Sequence, residues 1–413
     1  MSSWLHTRSL IRFLLIECLC AGWVLVAFAQ EGSKTATSLP LPPDAFQYRV
    51  ERGDSNTEHS ASPYFAKGAV ASDSSETLMS LKERAERGIA GAQNELGYRY
   101  ETGWGITQDY SQAMYWFRAA AEQGWPAAEY NVGQMFAYGK GVPQDYVTAA
   151  AWFQKAADQG VIHALNNLGI LYNHGWGVPK HPEQAIKLFS DAAEKGDATA
   201  QYNLGEAYVS GSGIQQDYTQ ALNCFQKSAE QGLGAGYSGL GYLYEHGKGV
   251  RRDYKKAAEM YQKGAEAGYG PAQASLGFVY FIGKGVQRDF TQAAIWFTRS
   301  AEKGVALGEA GLGKLYYSGE GVRRDLPLAS EWFRKAAEQG LAVAQRNLAY
   351  VLEHGEGVPV DYAEAYKWYE LAAAQGDAQA DQHRKSLSEV MTAKQRKEGE
   401  ERASSFVANE LRY

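Results

Sequence analysis

Apolar residues recur at helical intervals over most of the chain, and glycines interrupt them at regular distances. Ala92, Leu96 and Tyr100 are four residues apart, which places them along one stripe of a predicted helix. A second stripe follows at Ala113 and Phe117, again at helical spacing. The pattern therefore predicts two amphipathic helices joined by a short loop.

The loop between these helices carries residues that are typical of helix ends. Gly103 supplies the backbone conformation that ends many helices at little steric cost. Asp109 is placed to cap the second helix, and Gln112 three residues later predicts a capping box. The same combination recurs in three other places: Asp217/Gln220, Asp289/Gln292 and Asp361/Glu364.

Residues 89–376 divide into eight copies of 36 residues without an insertion or deletion, as expected of a repeat architecture. Each copy ends in glycine: Gly124, Gly160, Gly196, Gly232, Gly268, Gly304, Gly340 and Gly376. One helix pair cannot bury both of its apolar stripes, so the copies must stack. The sequence therefore predicts an all-α fold, an α/α right-handed solenoid of eight 36-residue helix-turn-helix repeats.

The two ends of the repeat region differ from its interior, as expected where one face meets water. Residues 73–88 read as a lone second helix with Leu81 and Ala85 on its inner side, which predicts an N-terminal capping helix. After Gly376 the leucine position is taken by Arg384, and residues 377–390 are predicted to be a C-terminal capping helix. The sequence of the charged tail, residues 391–413, is compatible with either a helix or a disordered segment.

The repeat resembles a known family. The residues that carry the likeness are Leu240-Gly241-Tyr242-Leu243-Tyr244-Glu245-His246-Gly247-Lys248-Gly249-Val250, Asp253-Tyr254, Ala257 and Ala265-Glu266-Ala267-Gly268. They are similar to the Sel1-like repeat (SLR) family, a relative of tetratricopeptide repeats. The resemblance implies a curved adaptor that assembles protein complexes in the bacterial envelope, in secretion and virulence, or in membrane-protein quality control. Two departures, His181-Pro182 and Ala349 with Leu352, predict a looser third loop and an atypical last unit.

The N-terminal segment predicts export. Arg8 and Arg12 precede an apolar run over residues 13–28, and Ala27-Phe28-Ala29 is typical of a cleavage site, so residues 1–29 are predicted to be a signal peptide. Glu17 interrupts the run, which leaves an uncleaved membrane anchor as the alternative. Residues 30–72 are rich in Ser, Pro and Gly and are predicted to be a flexible linker.

The predicted mature chain retains only Cys224 of three cysteines, and the sequence contains no Asn-x-Ser/Thr site. It therefore gains no stability from an intramolecular disulfide. We expect an exported protein of the bacterial periplasm or a secreted protein. An endoplasmic reticulum lumen and an N-terminal membrane anchor are the alternatives.

Composition excludes two classes of protein. The hydrophobic fraction of 45% is too high for a disordered chain. Lys and Arg total 41 against 47 for Asp and Glu, a formal net charge of −6, which offers no broad basic surface to a phosphate backbone. Nucleic acid is therefore not an expected partner.

Two motifs suggest catalysis or a cofactor, and both are better explained by the repeat. Ser300-Ala301-Glu302-Lys303 matches a serine-x-x-lysine acylase pattern, but Ser300 occupies a position where other copies carry alanine, and the companion motifs are missing. The segment from Gly234 to Gly239 has a dinucleotide-binding spacing but is flanked by predicted helices rather than preceded by a strand. We predict no enzyme activity and no cofactor. A cell-wall hydrolase is kept as a weak rival.

Histidine and cysteine do not form a predicted metal site. His174, His246 and His354 share one position at the end of the first helix, where a histidine can interact with the helix dipole. They lie in copies three, five and eight, too far apart to share a metal ion. Cys224 takes a position that is tryptophan in other copies, which predicts a buried small side chain.

The remaining signal lies in the positions of the first helix that vary between copies. Their aromatic and arginine side chains are of the types enriched at binding hot spots. We predict that a concave face binds a protein or peptide partner through Tyr98, Tyr130, Tyr202, Tyr242, Phe278, Phe281, Tyr317, Arg346 and Tyr350. The alternative is a cell-wall glycan held by tyrosine rings with Asn166, Asn173 and Glu245 nearby.

Overall fold

A computed structural model describes residues 78–406 of the chain. The predicted signal peptide 1–29, the linker 30–72 and residues 407–413 of the tail lie outside the described residues. Within residues 78–406 the chain forms 19 α-helices and no strand. The predicted all-α fold of tandem helix pairs, an α-solenoid, is confirmed.

The helices fall into two compact units that divide between Leu233 and Gly234. The described part of the first unit contains a leading helix and four helix pairs. In each pair we call the first helix the A helix and the second the B helix. The helices are α1 Leu78–Glu86, α2 Ala90–Thr102, α3 Tyr110–Ala121, α4 Pro126–Tyr138, α5 Tyr146–Asp158, α6 Ile162–His174, α7 Pro182–Glu194, α8 Ala198–Ser210 and α9 Tyr218–Glu230.

The second unit contains four further pairs and two closing helices in its described part. These are α10 Gly234–His246, α11 Tyr254–Glu266, α12 Gly270–Ile282, α13 Phe290–Glu302, α14 Ala306–Ser318, α15 Leu326–Glu338, α16 Ala342–His354, α17 Tyr362–Ala374, α18 Ala378–Val390 and α19 Ala393–Ser404. The even-numbered helices α10–α16 are the A helices of this unit.

The loop between an A helix and its B helix is fixed by hydrogen bonds at both ends. Gly103 ends α2 with φ 75°, a left-handed conformation that glycine adopts without a steric penalty. The Asp109 carboxylate accepts hydrogen bonds from the backbone N–H groups of Ser111 and Gln112, at 2.9 and 3.0 Å. The backbone N–H of Asp109 in turn donates to Tyr100 O at 2.9 Å.

This last bond explains why the predicted capping box does not form at Asp109. The N–H that Gln112 would accept from is already bonded to Tyr100 O. The N–H groups of Asp217, Asp289 and Asp361 are engaged in the same way. A complete capping box forms instead at the start of α19, between Thr392 and Gln395.

The third loop, predicted to be looser, is closed like the others. The His181 ring Nδ1 accepts a hydrogen bond from Gln184 N at 3.2 Å, so an imidazole replaces the aspartate cap. The His181 N–H also donates to Tyr172 O at 2.8 Å. The expectation failed because an imidazole nitrogen can accept the same bond as a carboxylate.

In seven of the eight described helix pairs the core contains an aromatic ring packed on glycine, and the last pair has Ala349 at that position. Phe117 is fully buried, and a Cβ placed on Gly97 would lie 2.7 Å from Phe117 Cδ1. The same contact joins Gly133 to Phe153. Glycine is therefore required here by the close approach of the ring to the A-helix backbone.

Glutamine side chains form hydrogen bonds both to the preceding helix and within a helix pair. Gln93 Nε2 donates to Ala85 O of α1 at 3.1 Å, and Gln201, Gln273 and Gln345 reach the preceding helix in the same way. Within one copy, Gln123 Nε2 donates to Gln93 Oε1 at 2.7 Å. Related bonds within a copy recur in both units: Gln231 to Gln201, Gln375 to Gln345, Gln159 to Glu129 and Gln339 to Glu309. These bonds satisfy polar groups in the interior.

The described ends of the repeat region are covered by helices. Leu81 and Ala85 of α1 are buried with Ala92 and Leu96 of α2 in one apolar cluster. Residues 78–86 form a helix in the described part of the predicted 73–88 cap, and residues 73–77 lie outside the described residues. At the other end, Arg384 of α18 bonds to Glu370 at 2.6 Å. An ion pair thus replaces the apolar contact of the repeat.

The tail contributes a docked helix, which the sequence left undecided. Helix α19 packs on α17, and Arg402 donates to Glu364 Oε2 at 2.8 Å. Trp368 is 1% exposed, and the Phe406 ring lies edge-on to it at 5.1 Å between centroids. A Cβ placed on Gly399 would lie 2.9 Å from Ala363 O, so the two helices approach closely.

Candidate protein-binding surface

The nine predicted binding residues lie on seven A helices, three in the first unit and four in the second. Eight of the side chains are partly exposed, and Tyr242 is 6% exposed. Tyr130 contacts Asn167 of the following A helix, whereas Tyr202, Phe278 and Phe281 pack on rings of the B helix of their own pair. These side chains are therefore packed rather than projecting freely. We call this surface, within each unit, the A-helix face. Its binding role stays a prediction.

The aromatic residues of α10 and α12 pack sideways on neighbouring rings. Phe278 lies edge-on to Phe297 at 4.8 Å, and Phe281 lies edge-on to Phe290 at 5.4 Å. The Tyr242 hydroxyl accepts a hydrogen bond from Lys248 Nζ at 2.6 Å. The Phe278 and Phe281 rings therefore serve the fold as well as presenting exposed edges. Tyr242 is buried, so its prediction as a binding residue is wrong: its ring packs on His246 and beneath Lys248 instead.

Tyr317 and Arg346 are held by carboxylates from the next helix pair or from the start of α18. The Tyr317 hydroxyl donates to Glu356 Oε2 at 2.5 Å, and burial together with this bond raises the pKa of Tyr317. Arg346 donates to Asp377 Oδ2 at 2.6 Å. Both groups are pre-positioned, which lowers the entropy that a ligand contact costs.

Aromatic and histidine rings stack at the end of the second unit. Tyr350 stacks on His354 at 4.2 Å, and Tyr369 stacks on His383 at 5.3 Å. The Tyr369 hydroxyl donates to Glu353 at 2.8 Å. Burial lowers the pKa of His383, so the neutral imidazole is the favoured form in this stack.

In the first unit the A-helix face is polar. The Tyr130 hydroxyl accepts hydrogen bonds from Gln134 at 2.9 Å and from Asn167 at 3.3 Å. Burial raises the pKa of Tyr130. Tyr202 lies 5.7 Å from Phe225, and the Thr102 hydroxyl donates to the backbone carbonyl of Tyr98 at 2.9 Å.

Amide pairs between A helices were missed by the sequence reasoning. Asn131 Nδ2 donates to Asn94 Oδ1 at 2.9 Å, and Asn203 Nδ2 donates to Asn166 Oδ1 at 2.8 Å. The recurrence of Asn at the position of residues 131, 167 and 203 was the available signal. Of the groups named for glycan binding, Asn166 is thus engaged, and Glu245 accepts from Tyr261 at 2.9 Å.

The two motifs weighed for catalysis have structural positions. Ser300 is fully buried, and its hydroxyl donates to Gly270 O at 2.9 Å. Residues Gly234 to Gly239 form the first part of helix α10 and not a phosphate-binding loop. Ser300 therefore packs at the position where other copies carry alanine, and the segment from Gly234 to Gly239 is helical.

The three histidines at the A-helix ends differ in environment. His174 stacks on Trp176 at 4.4 Å, and burial lowers its pKa to about 4, so burial outweighs any gain from the helix dipole. His246 and His354 each donate from Nδ1 to the carbonyl four residues earlier, at 2.9 Å.

Cys224 is buried, and burial raises the pKa of its thiol to about 11. Among residues 78–406, no group of three or more His, Cys, Asp or Glu side chains is arranged to hold a metal ion. None of the helices formed by these residues is long and apolar enough to span a membrane.

Comparison with known proteins agrees with the repeat. The Sel1 repeat model matches eight times, at residues 90–125, 126–161, 162–197, 198–233, 235–269, 270–305, 306–341 and 342–377. No curated protein sequence matches the chain significantly.

Two solved structures are similar in sequence to the chain. A protective antigen of uropathogenic Escherichia coli that displays an SLR fold is 30% identical and covers 81% of this chain and 95% of its own, with a TM-score of 0.47. A Sel1 repeat protein from Oxalobacter formigenes is 30% identical and covers 82% of this chain and 98% of its own, with a TM-score of 0.48. The eight matches together show that this chain belongs to the Sel1-repeat family.

Proposed function

We propose that the chain is a non-enzymatic scaffold of the bacterial cell envelope that binds a protein or peptide partner on its A-helix face. Sel1-repeat proteins generally mediate protein–protein interactions and are generally not enzymes. Export rests on the signal peptide predicted for residues 1–29.

The observation that carries the proposal is a variable surface on a constant scaffold. The Gly, Asp and Phe positions that fix each helix pair recur, whereas the A-helix face changes from amides and tyrosines in the first unit to phenylalanine, tyrosine and arginine in the second. Half-buried aromatic rings and a pre-positioned arginine are typical of binding hot spots. A surface that served packing alone would not need this variation.

The test is crosslinking capture of partners by the full chain from its native envelope, beside a double variant, Phe278→Ala with Phe281→Ala. The matched control is Ile295→Ala with Tyr115→Ala, since those two side chains are 40% and 60% exposed on B helices. Circular dichroism and thermal unfolding establish that each variant is folded. We expect partners to be lost from the A-helix variant alone. Identical partner sets for all three proteins would contradict the proposal.

The alternative function is binding of a cell-wall glycan or exopolysaccharide. The polar A-helix face of the first unit, with Tyr130, Asn131 and Asn203 partly exposed, is the observation that favours it. Calorimetric titration with purified peptidoglycan fragments separates the two functions. Heat that disappears in a Tyr130→Ala variant would support the glycan, and absence of heat would remove it.

A further inference from the structure

A run of excess positive charge lies at the junctions between A and B helices in the second unit. Its side chains are Arg251, Arg252, Lys255, Lys256, Lys284, Arg288, Arg323 and Arg324, and all eight residues are exposed. They belong to the three successive loops that follow α10, α12 and α14 and to the first turn of α11. We call these residues the basic edge.

The fold does not require these charges. In three of the four pairs of the first unit the position of Arg252, Arg288 and Arg324 is held by glutamine, and in the remaining pair by Lys180. The amides of Gln108, Gln144 and Gln216 donate to the carbonyls of Glu101, Ala137 and Val209 at 2.7 to 2.8 Å. Arg324 Nε donates to Tyr317 O at 3.0 Å in the same manner. A neutral amide therefore closes the loop as well as a guanidinium does, and the charge is additional.

Lys255 and Lys256 break a local rule of helix electrostatics. They occupy the first turn of α11, where the partial positive charge of the helix N-terminus disfavours cations. At the position of Lys256 the other copies carry Gln112, Thr148, Gln184, Gln220, Gln292, Leu328 and Glu364. A residue that is locally unfavourable without an evident structural gain is a candidate for function.

The carboxylates in these loops accept hydrogen bonds from backbone N–H groups or a hydroxyl and, within the part of the chain that the structure describes, form no ion pair with the basic edge. Asp253 accepts from Lys255 N at 3.1 Å and Lys256 N at 3.0 Å, and Asp289 and Asp325 cap their helices in the same way. Glu320 accepts from the Ser318 hydroxyl at 3.0 Å. Among the described residues, no ion pair involves a cation of the basic edge.

Aromatic rings lie between the cations and line a cleft in this surface. The Tyr254 ring is approached by Arg252 at 5.5 Å and by Lys284 of the next loop at 5.3 Å. Lys256 lies 5.3 Å from the centre of the Tyr244 ring. Tyr244, Tyr254 and the Arg251–Asp253 segment line an open cleft of about 640 Å³. These contacts hold the cations in place through cation–π attraction.

We propose that the basic edge binds an extended acidic segment of a partner protein, with one or more carboxylates at each loop. This deepens the proposed function and rests on it, since the ligand is taken to be a protein. Arginine forks match carboxylates in a bidentate manner. Neighbouring helices pack about 8–10 Å apart, a distance that about three residues of an extended chain span. A carboxylate at every third residue of the ligand would therefore match the spacing of successive loops.

The test uses the full chain and a fluorescein-labelled peptide of about twelve residues with Glu at every third position, a length that spans three loops. The edge variant is Arg252→Gln, Arg288→Gln, Arg324→Gln and Lys256→Gln, since Gln occurs at each of these positions in other copies. The control variant removes four exposed lysines elsewhere: Lys187→Gln, Lys195→Gln, Lys227→Gln and Lys394→Gln.

We expect the wild type and the control variant to bind the peptide equally, the edge variant to bind about tenfold more weakly, and rising salt to reduce the difference. A peptide with Gln in place of Glu is expected not to bind. Equal losses in both variants, no binding by the wild type, or binding only to anionic phosphatidylglycerol vesicles would each overturn the proposal. A further outcome is that the wild type does not bind the peptide while the Phe278→Ala with Phe281→Ala variant still loses captured partners. In that case the proposal of an acidic ligand is wrong and the proposed scaffold function stands.

Discussion

Single glycine residues decide how closely the helices of a pair pack. Gly133 faces Phe153, whose ring is fully buried, and a side chain at this position would lie within 2.7 Å of the ring. Gly91, also in an A helix of the first unit, has only the Trp125 side chain nearby, at 3.6 Å. Both residues are helical glycines, but their surroundings differ. Replacing each by alanine therefore separates the effect of packing from the effect of helix propensity.

Replacing Gly133 by Ala is expected to lower the free energy of unfolding by about 1–3 kcal/mol, because the new methyl group overpacks against Phe153. Replacing Gly91 by Ala is expected to raise it by up to about 1 kcal/mol through helix propensity. Urea unfolding followed by circular dichroism measures both. A stabilised Gly133→Ala variant would show that the ring can move aside.

Glu129 is the carboxylate whose protonation should affect stability. It is 5% exposed, burial raises its pKa above the usual 4.5, and a hydrogen bond from Gln159 opposes this only in part. A raised pKa in the folded state means that the stability associated with Glu129 is complete below 4.5 and is lost as pH rises through the folded value.

Glu129→Gln is therefore expected to raise the free energy of unfolding at pH 7 by about 1 kcal/mol. Gln occupies this position in other copies, as Gln93 and Gln201. The gain should vanish below pH 4.5, where glutamic acid is also neutral. Unfolding curves at pH 4 and pH 7 test this, with Gln201→Glu as the reverse control. A gain that is the same at both pH values would contradict the role of charge.

At the scale of elements, α19 seals the last B helix. Trp368 occupies the position of Trp116, Trp152, Trp296 and Trp332, and it is more deeply buried than these because Phe406 and α19 cover it. Gly399 permits this contact, since its backbone lies against Ala363 and Tyr366 of α17. Arg402 fixes the helix by its bond to Glu364.

Gly399→Val is expected to release α19 from α17 and to speed tryptic cleavage after Lys394, Arg396 and Lys397 by about tenfold, the effect of an overpacking penalty near 1.4 kcal/mol. Glu400→Val is the control, since Glu400 is exposed on the same helix. Timed digestion and mass spectrometry give the cleavage rates. Equal rates in both variants would show that α19 is not held at Gly399.

The sequence predicted the elements of the fold better than the contacts between them. The stripe of Ala92, Leu96 and Tyr100 and the ends marked by Gly103 and Asp109 are local patterns, so the helices could be placed. The partner of Tyr317 is 39 residues away at Glu356, and it depends on the rotation of one A helix against the next. For the same reason the docking of α19, which depends on Gly399 meeting α17, could not be predicted.

At the scale of the whole molecule, stability should be distributed by repeat. In repeat proteins each unit contacts its neighbours, so a local defect is felt over a short distance along the chain. Here the Gln201–Ala193 and Asn131–Asn94 bonds both join adjacent pairs, which agrees with this scheme.

Hydrogen exchange of the Gly133→Ala variant is expected to increase in α2 to α5, less in α6 and α7, and little beyond them. Mass spectrometry of peptides from both compact units measures this. An equal increase across residues 234–406 would mean that the described chain unfolds as one cooperative body.

The two kinds of glycine turn differ in what they tolerate. A side chain on Gly141, in an A–B loop, would overlap the backbone of Tyr110, and Gly177, Gly285 and Gly321 meet the preceding copy in the same way. At Gly160, between a B helix and the next A helix, an added Cβ meets nothing within 4 Å. Length variation, epitope tags and inserted domains are therefore best accommodated at the Gly160 type of turn. An evolving or engineered version of this protein can acquire new sequence on that side without disturbing the stacking of its repeats.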